Sequence, residues 1–243
     1  MPPTLRGFPP RIPAAGRRQR HRCGWPDLTP LRWLAGVFIA LAAGIGYAAS
    51  PGDAAAADSP RTIVFFGDSL TAGYGLFDPA HDAYPAVIQR KLATAGLPWR
   101  VVNAGLSGET TSGGLRRVDW TLRQPVDIFF LALGANDGLR GINPELSRRN
   151  LESIITRVRA RYPQARVVLA GMQMPPELGP DYTREFSRVY PEVAAKCDTL
   201  LMPFLLEGVG GSAELNQGDR IHPNRAGHAA IAETVWKVLR PLL

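Results

Sequence analysis

Five short apolar runs recur along the chain, each followed by a segment in which apolar positions return every three or four residues. The runs lie at 62–66, 100–104, 127–133, 166–171 and 199–202. They are short, rich in β-branched or aromatic residues, and bounded by Gly, Pro, Asn or Asp, which is the pattern of buried strands. The run at 127–133 is apolar almost throughout, as a strand covered on both faces must be. Between the runs, Tyr84, Ile88, Leu92 and Ala95 mark one helix face. Leu151, Ile154, Ile155 and Val158 mark another, and Phe186, Val189, Tyr190, Val193 and Ala194 a third. Ile231, Val235, Val238 and Leu242 mark the last. A further helix is expected around 115–122. Strand and helix alternate throughout, which predicts an α/β fold with a parallel sheet and helices on both faces.

The connections carry the polar and turn residues. Segment 77–83 is polar, 105–114 is rich in Gly, Ser and Thr, and 134–138 reads Gly-Ala-Asn-Asp-Gly. Segment 172–181, with Pro175, Pro176 and Pro180, is expected to be an exposed loop, and 207–217 is Gly-rich. In open α/β sheets the working site lies beyond the carboxyl ends of the strands. The first strand ends at Gly67 and presents Asp68 and Ser69, a layout that holds a hydroxyl at the sheet edge. The Gly-x-Ser-x-Gly elbow is not matched, because Leu70-Thr71 follows the serine.

The N-terminal quarter differs from the rest. Residues 1–58 hold seven Arg and three Asp, a net of +4, while residues 59–243 hold 21 basic and 18 acidic groups, a net of +3. More than half of the excess positive charge therefore sits in the leader, and the main domain offers no basic face for nucleic acid. Residues 33–52 carry no charge; five arginines from Arg17 to Arg32 precede them and alanine-rich sequence follows. Positive, then apolar, then small is the order of a secretory signal. The competing reading is an uncleaved membrane anchor, since the uncharged run is just long enough to span a bilayer. The expected division is a leader over 1–58 and one domain over 59–243. Cys23 falls in the leader, so Cys197 has no internal disulfide partner and is expected in the core.

Gly67-Asp68-Ser69-Leu70 after an opening strand resembles the GDSL family of SGNH hydrolases. Ser107-Gly108-Glu109-Thr110, Gly134-Ala135-Asn136-Asp137 and Asp219-Arg220-Ile221-His222-Pro223-Asn224 match its other blocks, in order and at strand ends. The phrase from Gly134 to Gly141 is most similar to the arylesterase, acyl-CoA thioesterase I and lysophospholipase L1 subgroup, a periplasmic group whose location agrees with the leader. The resemblance covers 62–239. It implies a flavodoxin-like three-layer α/β/α fold with a five-stranded parallel sheet and a Ser69–His222–Asp219 triad. It also implies an oxyanion hole made by the backbone N–H groups of Ser69 and Gly108 and the Asn136 side chain.

The residue types suit those roles. A serine hydroxyl is a weak nucleophile without a base beside it. His222 is the histidine in a strand-end loop next to an acid, and Asp219 can orient its ring. Singly, each residue has a plainer role: Ser69 or Asn136 as a helix cap, Gly108 and Asp219 as turn residues, His222 as a surface histidine. It is their co-occurrence in order that favours catalysis. Asp68 and Asp137 are expected to support loops, His81 to face solvent and His228 to be structural. No metal-ligand spacing, phosphate loop or dinucleotide fingerprint is present, so no cofactor is expected. The expected substrates are short to medium acyl esters, thioesters or lysophospholipids, in a pocket lined by 74–83, 110–114 and 172–181. Removal of acetyl groups from carbohydrate and a non-catalytic binding module on the same fold are the alternatives. A periplasmic or secreted location is expected if the leader is cleaved, and inner-membrane association through 33–52 if it is retained.

Overall fold

The computed structural model describes residues 60–243. The expected leader over 1–58, with its apolar run, therefore lies outside the described residues. In order, the chain forms β1 (Arg61–Gly67), α1 (Ser69–Ala72), α2 (Pro79–Asp82), α3 (Tyr84–Thr94), β2 (Trp99–Gly105), α4 (Thr111–Thr121) and β3 (Ile128–Ala132). There follow α5 (Ala135–Leu139), α6 (Pro144–Arg161), β4 (Arg166–Ala170), α7 (Pro180–Lys196), β5 (Leu200–Met202) and α8 (Arg225–Leu239). Short 3₁₀ turns occupy Pro176–Leu178 and Arg240–Leu242.

The five strands pair in parallel in the order β2-β1-β3-β4-β5. This is the flavodoxin-like order, whose chain reverses direction across the sheet between β1 and β3. Both strands at that point are buried on both faces, and successive side chains serve opposite layers. Phe65 pairs in register with Phe130 and meets Tyr84 of α3 edge-on, with ring centroids 5.4 Å apart. Phe66 and Phe129 stack on the other face, 5.3 Å apart. Helices α3 and α8 pack on each other in one layer, and α4, α6 and α7 pack in sequence in the second. Caps start the helices where the polar connections end: Thr110 accepts from Gly113 N–H, Asn143 from Glu145 N–H and Asn224 from Gly227 N–H.

All five expected strands are present. The expected exposed loop 172–181 holds for Gln173 and for 175–177, while Met172 and Met174 are buried and α7 already begins at Pro180. Cys197 caps the end of α7 and packs against the core, where burial pushes its thiol pKa up. Among the described residues no helix is long and apolar enough to cross a membrane.

Gly67 and Gly105, paired in register at the ends of β1 and β2, let α1 settle against the sheet edge. A Cβ on Gly105 would stand 2.3 Å from the Ala72 nitrogen and 2.7 Å from the Thr71 carbonyl carbon, both backbone atoms. Gly105→Ala is expected to destabilise the protein by about 3 kcal/mol, the upper end of overpacking costs, because backbone cannot rotate aside. Urea unfolding at equilibrium measures it, and a loss below about 1 kcal/mol would show that α1 can move.

Candidate active site

The site forms where β1 and β3 end. The chain leaves β1 through Asp68, whose carboxylate is fully buried and caps α1 by accepting from Leu70 N–H at 3.0 Å. Asp68, not Ser69, is thus the cap, which frees the serine at the first helical position. Ser69 Oγ lies 3.0 Å from His222 Nε2, across 153 positions of sequence. His222 Nδ1 lies 2.6 Å from Asp219 Oδ2. Asp219 Oδ1 accepts from the backbone N–H groups of Ile221, at 2.9 Å, and His222, at 3.0 Å. Asp219 is therefore a turn residue and the partner of His222 at once. The bond from the His222 ring, followed by those two amides, holds its carboxyl pKa down at about 2.

The expected oxyanion residues are placed by separate means. Asn136 is the second residue of α5, and its side-chain amide donates to Asp68 Oδ2 at 3.4 Å, a long bond. Gly108 sits in the turn after β2 with φ of +77°, a left-handed conformation that favours glycine. Its carbonyl accepts from Arg140 Nη2 at 3.0 Å, which ties the turn to the end of α5. Among the described residues, the backbone N–H groups of Ser69 and Gly108 donate to no protein acceptor.

Ser69, Asn136 and His222 open into one groove of about 490 Å³. Its walls are mainly apolar, made by Leu70, Leu139, Met172, Met174, Pro175, Pro176, Phe204, Leu206 and Ile221. Of the expected lining, 172–176 is borne out. Segments 74–83 and 110–114 do not line the groove. The first folds partly into α2, and the second is the capped start of α4, where Thr111 is buried. Segment 204–211 takes their place. Gly108 is not among the lining residues.

Of the residues that support the site, Arg117 and Gln217 escape the sequence analysis, while Asp137, His81 and His228 take the places expected of them. Arg117 donates through Nε to Glu109 Oε2 at 2.6 Å, and through Nη2 to the carbonyls of Gly67 at 3.1 Å and Ala104 at 2.8 Å. Its guanidinium lies over the Phe66 ring, 3.9 Å from the centroid. One side chain thus ties the ends of β1 and β2 to the residue after Gly108. Buried Asp137 accepts from Thr111 N–H at 2.8 Å, Thr111 Oγ1 at 2.5 Å and Ser147 Oγ at 3.0 Å. That network joins α5 to the starts of α4 and α6. Tyr74 covers the His222 ring, with centroids 4.7 Å apart, and Gln217 Nε2 donates to the carbonyls of Tyr74 and Pro223. His81 is exposed beside Asp82. His228 is buried and its Nδ1 accepts from Tyr84 N–H at 3.3 Å; burial pulls its pKa down to about 4.

Residues 65–230 match the GDSL-like Lipase/Acylhydrolase family. The chain is 44% identical over 184 residues to Esterase TesA of Pseudomonas aeruginosa, covering 75% of this chain and 90% of that protein. It is 38% identical over 191 residues to Thioesterase 1/protease 1/lysophospholipase L1 of Escherichia coli K12, covering 78% and 87%. The crystal structure of TesA superposes with a TM-score of 0.71 at 44% identity, over 75% of this chain and all of that one. AlinE4, an SGNH-hydrolase family esterase, superposes with a TM-score of 0.62 at 38% identity, over 76% and 97%.

Burial pushes the Asp68 pKa up to about 7, against the opposing bonds from Leu70 and Asn136 and the nearby His222. A carboxyl raised in the folded state contributes stability that is present below its unfolded value and is lost as pH rises through the folded one. Asp68 therefore makes the protein less stable at pH 8 than at pH 5. In Asp68→Asn that pH-dependent loss is expected to shrink, measured by urea unfolding at both values. An unchanged pH dependence in the variant would show that Asp68 does not change protonation between the two values.

Proposed function

The chain belongs to the GDSL-like lipase/acylhydrolase family, and on that footing we propose that it is a serine esterase and thioesterase acting through an acyl-enzyme. The observation that carries this reading is the unbroken line of contacts from Asp219 Oδ2 through both ring nitrogens of His222 to Ser69 Oγ, at 2.6 and 3.0 Å, opening into an apolar groove. The proposed domain is 59–243.

In this mechanism Ser69 Oγ attacks the acyl carbonyl carbon while His222 Nε2 takes its proton. Asp219, held ionised, accepts from the Nδ1–H, fixes the ring's tautomer and stabilises the imidazolium. The carbonyl electron pair moves onto oxygen. Among the described residues, the Ser69 and Gly108 N–H groups have no protein acceptor and the Asn136 amide makes one long bond, which leaves these donors to receive it. Collapse of the tetrahedral intermediate breaks the bond to the leaving oxygen or sulfur, which takes the proton from Nε2. A water, deprotonated by the same nitrogen, then releases the acid and restores Ser69.

The groove supports acyl chains as the moiety bound, because its walls are hydrocarbon and thioether and give a sugar few polar partners. Esters, thioesters and lysophospholipids of short to medium chain are the proposed substrates, in line with the printed names of the relatives. The basic, apolar, then alanine-rich order of the leader supports export to the periplasm, with an anchored form if residues 33–52 are retained.

Hydrolysis of p-nitrophenyl esters from acetyl to decanoyl tests the reading. Ser69→Ala is expected to lower kcat by at least about 10³-fold, and Asp219→Asn by about 10⁴-fold, because the three residues act as a unit. Asn136→Ala is expected to cost about 10²–10³-fold as the loss of one oxyanion donor. Near-wild-type turnover in Ser69→Ala would end the serine mechanism.

A further inference from the structure

Among the described residues, two other than glycine adopt positive φ: Asp198 at +47° and Arg220 at +57°. Asp198 needs no special account. It follows the capping residue of α7, where a left-handed turn ends a helix, and aspartate tolerates that region. Arg220 is different. Arginine has no short side chain to bond its own backbone, so its Cβ is strained there, and glycine would satisfy the same turn without strain. Residues held in such conformations cluster at active sites and ligand clamps.

The position of Arg220 says what its side chain is suited to. The turn is forced by its neighbours: Asp219 draws the N–H groups of Ile221 and His222 onto one carboxylate oxygen, and Arg220 N–H donates to the Gln217 carbonyl at 2.9 Å. The exposed Arg220 side chain lines the groove, where it is the one permanently charged residue among the described residues. The other arginines around the site are engaged: Arg117 with Glu109, Arg140 with the Gly108 carbonyl, Arg225 with Asp82. Among the described residues the Arg220 guanidinium has no ion pair and donates to no acceptor. A planar cation left unpaired at the mouth of an apolar groove is suited to a phosphate.

We propose that Arg220 is a specificity residue that binds a phosphate carried by the leaving group of the substrate. This rests on the hydrolase reading above. The side of the site is set by the chemistry: His222 hands its proton to the departing oxygen or sulfur, so the leaving group lies on the His222 side, and Arg220 stands two residues away in the same turn. The acyl chain occupies the apolar walls, and the phosphate stays at the wet rim. Coenzyme A and a lysophospholipid headgroup both supply such a phosphate.

Two matched substrate pairs test this with the full chain. Lauroyl-CoA is compared with S-lauroyl-N-acetylcysteamine, the same thioester without phosphate. Lauroyl lysophosphatidylcholine is compared with monolauroylglycerol. In Arg220→Gly, which removes the strain with the charge, the ratio of kcat/KM for the phosphate-bearing to the neutral member is expected to fall about tenfold in at least one pair, through KM. Arg220→Lys is expected to keep most of the ratio. A fall confined to the thioester pair assigns the residue to coenzyme A, and one confined to the ester pair assigns it to the lipid headgroup. If neither ratio moves, Arg220 serves only the geometry of the Asp219–His222 turn and the proposal is overturned. If the wild type hydrolyses none of the four, or Ser69→Ala hydrolyses them equally well, it is the hydrolase reading that fails.

Discussion

Parallel strands end with carbonyl groups that the neighbouring strand no longer pairs, and in the absence of water such groups must find other donors. The site depends on how this chain meets that constraint. The Gly67 and Ala104 carbonyls, last or nearly last in β1 and β2, both accept from Arg117, and Gly67 also accepts from Leu106 N–H. The same guanidinium holds Glu109, so the turn carrying Gly108 is fixed relative to the strand that delivers Ser69. On the β3 side, Asp137 gathers three donors from α4 and α6 and thereby fixes the helix that carries Asn136. Satisfying strand ends and assembling the site are one operation, since charge-assisted bonds of this kind are strong where water is scarce.

Two carboxylates near Ser69 are driven in opposite directions. Asp219 is partly exposed and collects three donors, so it stays ionised well into acid. Asp68 is sealed from solvent with two donors, one of them distant, and resists ionisation. Adjacent in space to one serine and one histidine, they show how donor count and solvent access decide a carboxyl's state more than its residue type does.

The strands and the long helices are legible in the sequence because each signal is local, whereas the candidate site residues stand out through the resemblance of their blocks to the GDSL family. A strand is a run, a helix face a period, and Asp219 and His222 stand three positions apart. Signals that depend on distant partners were not legible. Arg117 acts on Gly67, 50 positions away, and Gln217 on Tyr74, 143 positions away. Nothing in the neighbourhood of either marks it. The expected groove lining failed for the same reason. Segments 74–83 and 110–114 are polar and follow strands, which makes them plausible walls, but Pro79 with Asp78 and Thr110 with Gly113 start helices there. Segment 172–181 looked exposed on account of its prolines, while its two methionines turn inward against the core.

Ser69, the proposed nucleophile, is held at the end of the first strand and His222, its proposed base, in the turn before α8, so the halves of the candidate site are made at opposite ends of the domain's synthesis. Tyr74 and Gln217 lock those halves together only once the turn that carries His222 has docked. Until then Ser69 is an ordinary alcohol on a partly built sheet. The contact between Ser69 and His222 therefore closes only when both ends of the domain have come together.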